Sequence, residues 1–135
     1  MEPQMANIPV EFTINVTGET TGETFKGVFK AKPRLSHRDT LLQDQMRRDL
    51  LGPKPEAAGQ AAVANSLVFS KVWIHLLETP SWWKEAGNGV DLLDESPVVA
   101  VYDQLTKIEK EAMEAAKKDG EEAAKTLKKE SKEAG

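Results

Sequence analysis

The sequence predicts an α+β domain in which an N-terminal β-hairpin packs on about three helices and a charged helical extension follows. Apolar and polar residues alternate from residue 10 to residue 17, which is typical of a strand with one buried face. Farther along, apolar residues recur at helical spacing in three segments that are separated by proline and glycine. We therefore expect an N-terminal arm over residues 1–9, a domain over 10–112 and a tail over 113–135.

The β-hairpin is expected over residues 10–31. A turn with two glycines follows the first strand, and the second strand places Phe25, Phe29 and Ala31 on one face and lysines on the other. Lysines on an exposed strand oppose pairing with other chains. Because an isolated hairpin is marginally stable in water, this one must pack on the helices or on another subunit's sheet.

The first two helices are expected at about residues 36–51 and 56–78. Ser36 and Asp39 have the spacing of a capping box, and Gly52 follows the first helix. The apolar face of that helix is formed by Leu42, Met46 and Leu50. The second helix is apolar over a wide arc, which predicts that it is the central and most buried helix.

The third helix is expected at about residues 96–112, since Ser96 and Pro97 are strong helix-starting residues. Its apolar residues alternate in spacings of three and four, which indicates a narrow contact face: Val98, Val101, Leu105, Ile108 and Ala112. The pattern fades beyond Ala116, so the tail is predicted to be a solvated helix or a flexible extension.

Charge and composition exclude several classes of function. The net charge is −4, and residues 107–135 hold eight lysines and eight acidic residues, so the acidic excess belongs to the rest of the chain. This balance argues against nucleic-acid binding, which requires a basic surface. The absence of cysteine excludes disulfides and thiolate chemistry. The sequence has no apolar run of membrane-spanning length and no features of a secretory signal, so a cytosolic location is expected.

No catalytic motif is found in the sequence. His37 and His75 lack the partners of a helical metal site, and Asp91 and Asp94 lack the spacing of a calcium-binding loop. We therefore expect a non-enzymatic protein without a metal or cofactor. One alternative stays open, namely a small metal-binding or enzymatic domain that uses His75, Asp91 and Asp94.

All three tryptophans, Trp73, Trp82 and Trp83, fall within eleven residues. Trp73 is expected in the core. Since Trp82 and Trp83 are adjacent, they cannot both point the same way, and one of them is expected to contact another protein. The predicted partner-contact residues are Phe25, Phe29, Trp82, Trp83 and Tyr102.

The order of these segments resembles small morphogenesis proteins of tailed bacteriophages, in particular tail assembly chaperone-like proteins. The resemblance covers residues 10–110 and rests on the hairpin sequence of residues 22–29, the arginine-containing segments 34–39 and 47–52, the alanine-rich second helix, and the segments 79–83, 91–94 and 101–102. The frameshift-type extension that some tail assembly chaperones carry is not found here.

This resemblance implies a non-enzymatic protein that binds tail-tube or tape-measure subunits in the host cytoplasm. The hairpin and charged tail equally suit a capsid decoration or minor head protein, which would contact the major capsid protein and stay in the virion. Self-association is a further expectation.

Overall fold

The computed structural model describes residues 8–134, with side chains described through residue 128. It confirms the predicted α+β class. The elements are β1 (Val10–Thr17), β2 (Thr24–Ala31), α1 (His37–Leu51), a short 3₁₀ helix (Pro55–Ala57), α2 (Gln60–His75), β3 (Leu76–Glu78), α3 (Ser81–Glu85) and α4 (Ser96–Ala134). Residues 1–7 of the expected arm and Gly135 lie outside the described residues.

The sheet is antiparallel, with the strand order β1-β2-β3. β1 and β2 form the predicted hairpin, and Phe12 pairs with Phe29 so that their rings stack at a centroid distance of 5.3 Å. β3 pairs with β2 only near Lys30 and Ala31. Among residues 8–134, most of β2 therefore has no strand on the side opposite β1, and β1 forms the other edge of the sheet.

The hydrophobic core lies between the sheet and the first half of α4. Val98, Val101, Leu105 and Ile108 are buried at the predicted spacing and form one cluster with Phe12, Ile14, Phe29 and Ala31. The helix continues beyond this contact to Ala134. At 1.5 Å per residue, the part after Ala112 is roughly 33 Å long. The predicted tail is thus a continuation of α4, and nearly all of its described side chains are exposed.

The predicted second helix, residues 56–78, is wrong at both ends. Residues 55–57 form the 3₁₀ helix, and α2 begins at Gln60 and ends at His75. The helix ends because the sheet takes over its backbone hydrogen bonds: the Lys32 N–H donates to the His75 carbonyl at 2.9 Å, and Leu76 pairs with Ala31. The last three residues of the predicted helix are β3.

α1 and the first turns of α2 project from the core. The predicted capping box is present, since the Ser36 side chain accepts from the Asp39 N–H and the Ser36 N–H donates to the Asp39 carboxylate. The predicted apolar face of α1 does not enter the core, because the helix turns Thr40, Gln43 and Arg47 toward α2. α1 contains no buried residue, and the burial predicted for the second helix is confined to the second half of α2, where Ser66, Ser70, Val72, Ile74 and His75 are buried.

Candidate binding groove

Trp83 anchors the segment that follows α3, residues 86–95, which we call the connecting loop. The Trp83 side chain is 1% exposed and packs edge-on against Phe29 at a centroid distance of 5.4 Å. Gly89 of the connecting loop lies on the Trp83 ring, where a Cβ atom would come within 2.7 Å of it. Gly89 also has a φ of +95°, a region that favours glycine. The loop therefore approaches the core as closely as it does because residue 89 is a glycine.

Trp82 covers the part of β2 that β3 leaves unpaired. Its indole N–H donates to the Lys26 carbonyl at 3.0 Å, and its ring lies 5.3 Å from that of Phe25. Pro80 packs on Gly27 of the same strand. The half-buried Trp82 side chain therefore occupies the Lys26 carbonyl, which would otherwise be available to pair with another strand.

Trp73 holds the tip of the connecting loop. It was predicted in the core, but it is only half-buried, and its indole N–H donates to the Asn88 carbonyl at 2.9 Å. Phe69 lies against it at a centroid distance of 5.9 Å. Each of the three tryptophans therefore packs on or bonds to a neighbouring segment of the chain.

The far end of the connecting loop is attached to the hairpin turn through the carboxylates of Asp94 and Glu19. Buried Asp94 accepts hydrogen bonds from the backbone N–H groups of Thr20 and Thr21 and from the Thr21 hydroxyl. The Thr21 hydroxyl, followed by those two N–H groups, lowers the pKa of Asp94 against the opposing effect of its burial.

Glu19 caps the start of α4. Its carboxylate accepts from the backbone N–H groups of Glu95 and Ser96, which lie where the positive end of the helix dipole favours an anion. Hydrogen bonding to the Ser96 side chain, and then to nearby backbone N–H groups, lowers the pKa of Glu19 from 4.5 to about 2. Glu19 lies 77 positions before Ser96 in the sequence, so this cap is a long-range contact.

The connecting loop, held in this way, forms an apolar groove with α2 and the start of α4. The groove has a volume of about 380 Å³. Its apolar walls are Val68 and Phe69 of α2, Val90, Leu92 and Leu93 of the connecting loop, and Val98 and Val99 of α4. Leu93 is 80% exposed, Val99 50% and Val90 45%. Apolar walls of this kind are a common feature of binding sites in soluble proteins.

The charged residues that line the groove are acidic. Among the described residues that line it, Asp94 and Glu95 carry charge and no lysine, arginine or histidine is present. The Asp94 carboxylate is already bound by the hairpin turn, whereas Glu95 is exposed. The groove thus combines apolar walls with one exposed carboxylate, that of Glu95, which favours an apolar ligand that carries positive charge beside it.

The predicted partner-contact residues lie mostly elsewhere. Phe25, Phe29 and Trp83 are buried within the chain, so their rings are covered by the chain's own residues. Trp82 is half-buried on β2. Tyr102 is half-buried on α4, with the Lys71 ammonium 5.2 Å above its ring. None of the five lines the groove.

The three residues of the alternative metal site have separate partners. His75 is buried, with Nδ1 2.7 Å from the Lys32 carbonyl oxygen and Nε2 3.0 Å from the Glu109 carboxylate. Asp91 lies beside Gly87, and Asp94 binds the hairpin turn. In the part of the chain that the structure describes, no group of three or more histidine, cysteine or acidic side chains is placed to hold a metal ion.

Two functional features were missed in the sequence. Glu19 lies in the turn between the two predicted strands, and nothing local in the sequence signals a partner so far along the chain. Leu92 and Leu93 did carry a signal, since two leucines in a glycine-rich loop are unusual unless that loop packs on something.

No protein-family model matches the sequence, no curated protein matches it significantly, and no solved structure matches it significantly. Within residues 8–134, none of the helices has the length and apolar character needed to cross a bilayer.

Proposed function

We propose that this protein acts without catalysis, by binding an apolar, positively flanked segment of another protein in the groove between α2 and the connecting loop. The observation that carries the proposal is the exposure of Leu93, Val99 and Val90 along a groove that the chain itself holds open. A solvated apolar surface of this kind gains free energy when a partner covers it.

The fixed position of the connecting loop supports the proposal. Gly89 packs on Trp83, Asn88 accepts from Trp73, and Asp94 binds the hairpin turn. A site that is already ordered does not lose loop entropy when a ligand binds, so more of the contact energy is available for affinity. The acidic Glu95 at the rim selects for a ligand with lysine or arginine next to its apolar residues.

The biological setting that we propose comes from the sequence resemblance. A tail assembly chaperone-like protein of a tailed phage would hold an apolar segment of a tail-tube or tape-measure subunit until that segment is buried by polymerisation. A groove that covers an apolar segment and leaves its flanking charges in water suits that task.

A virion structural component, such as a capsid decoration or minor head protein, is the second candidate. It is favoured by the position of β1 at an edge of the sheet, where a strand of a neighbouring subunit could pair with it. Mass spectrometry of purified particles separates the two roles, because a chaperone is absent from mature virions and a decoration protein is present in many copies.

The groove is tested by a nitrogen–proton correlation NMR titration of the full chain. The probe is a short synthetic peptide with leucines flanked by lysines, and its control is the same peptide with glutamates in place of the lysines. We expect saturable shifts at residues 65–69 and 89–99 with the lysine peptide and much weaker ones with the control. Shifts scattered over the chain, or equal binding of both peptides, would contradict the proposal.

A further inference from the structure

α1 presents a surface that nothing in the described chain covers. None of its fifteen residues is buried, and Leu41 and Leu42 are 73% and 47% exposed. Most helices in proteins gain their stability from packing an apolar face rather than from intrinsic propensity. Only the opposite side of α1, with Gln43 and Arg47, lies against α2.

The outer side of α1 carries four residues at spacings of four, three and four: Arg38, Leu42, Gln45 and Asp49. This spacing places them in one row along the helix, with Leu41 on one side of the row and Met46 on the other. Such a row is the contact face that a second helix packs against.

The two ends of the row carry unneutralised charges. Arg38 is exposed in the first turn and has no charged partner in the described part of the chain. Asp49 is exposed in the last turn, and its side-chain contact is with the uncharged amide of Gln45 at 3.0 Å. A cation at the start of a helix and an anion at its end both oppose the helix dipole. Arg38 and Asp49 therefore each favour a neighbouring group of opposite charge.

We propose that α1 pairs antiparallel with α1 of a second copy of this chain, about a two-fold axis between positions 43 and 44. In that arrangement Arg38 meets Asp49 of the second copy, and the symmetric pair forms at the other end. The same register places Leu42 against Gln45 of the second copy and brings the two copies of Leu41 to the same side of the contact. One register thus covers Leu42, groups the Leu41 side chains and neutralises both charges, as a self-complementary two-fold contact requires. This surface is separate from the groove and does not depend on the proposed function.

Charge reversal tests the register. R38E and D49R each turn two exposed ion pairs into two like-charged pairs, which should weaken dimerisation roughly tenfold. The double variant R38E/D49R restores both pairs in the opposite sense and should regain nearly the wild-type affinity. K84E and E85R make the same charge changes on exposed positions of α3 and serve as controls.

The measurement is sedimentation equilibrium of the full chain over a range of concentrations, with circular dichroism to verify that each variant is folded. We expect the wild type to dimerise and the two single variants to associate more weakly. The double variant should regain the wild-type affinity, and the two controls should dimerise like the wild type. A wild-type chain that stays monomeric up to millimolar concentration overturns the proposal. Single variants that dimerise like the wild type, or a double variant that does not recover, overturn it too.

Discussion

Replacing Gly89 with alanine tests whether contact with Trp83 fixes the connecting loop. Gly89 has a φ of +95°, and an added Cβ would lie 2.7 Å from the Trp83 ring. The ring cannot move away freely, because it is buried and packs on Phe29. Gly22 is a matched control: its φ is +75°, but nothing lies within 4 Å of the position where its Cβ would be.

The expected size of the effect follows from two contributions. Placing alanine at positive φ costs about 1–2 kcal/mol, and forcing an extra methyl group into packed surroundings costs about 1–3 kcal/mol. Alanine also restricts the unfolded chain, which offsets about 0.4–1 kcal/mol of this. We expect Gly89→Ala to lower the free energy of unfolding by about 2–4 kcal/mol. For Gly22→Ala, only the cost of positive φ and the restriction of the unfolded chain apply, so the expected decrease is about 1 kcal/mol.

The assay is urea unfolding followed by tryptophan fluorescence, with the m value checked for constancy so that the midpoint reports stability. The difference between the two variants isolates the contact with Trp83, since the backbone cost is shared. The reasoning is refuted if Gly89→Ala destabilises the chain no more than Gly22→Ala does.

Three further predictions concern the attachments of the groove and the tail. The pKa of Glu19 is lowered from 4.5 to about 2, so its contribution to stability is complete above pH 4.5 and is lost as the pH falls toward 2. Thermal melts at successive pH values should therefore show a smaller loss of stability in acid for Glu19→Gln than for the wild type. Equal losses of stability would contradict the cap on α4. Trp82→Phe keeps an aromatic ring but removes the hydrogen bond to the Lys26 carbonyl, and urea unfolding should show a loss of about 0.5–1.5 kcal/mol, whereas an unchanged midpoint would mean that the bond adds nothing. Truncation after Ala116 removes a segment whose described side chains, residues 117–128, are all exposed, so the urea midpoint should stay the same, and a large fall would show that the tail packs on the body.

The hairpin and the core face of α4 could be predicted because their signals are local. Alternation in β1 and the three–four spacing of Val98, Val101 and Leu105 each describe one buried face of one element, and burial follows that pattern. Such patterns need no knowledge of what lies opposite.

β3 and the attachments of the connecting loop could not be predicted in this way. β3 has three residues, and Leu76 and Leu77 continue the apolar pattern of α2, so only pairing with Ala31 reveals the strand. The cap from Glu19 to Ser96 joins residues far apart in the chain. Long-range pairing of this kind depends on the tertiary fold rather than on local preference.

α1 shows a different limit. Its apolar pattern, with Leu42 and Leu50, correctly marks a face that favours burial, but the pattern does not state what buries it. The prediction assumed the chain's own core, and both side chains are exposed. In the proposed pairing, α1 of a second copy of the chain covers part of that face.

The central claim is that the groove binds a positively flanked apolar segment, and Leu93 tests it most directly. Leu93→Asn places an uncharged amide at the most exposed apolar position of the groove, and Leu127→Asn makes the same change at an exposed position on the distant part of α4. Isothermal titration with the leucine–lysine peptide should show binding to the wild type and to Leu127→Asn, and loss of binding to Leu93→Asn. Equal binding by all three proteins, or none by the wild type, would contradict the account.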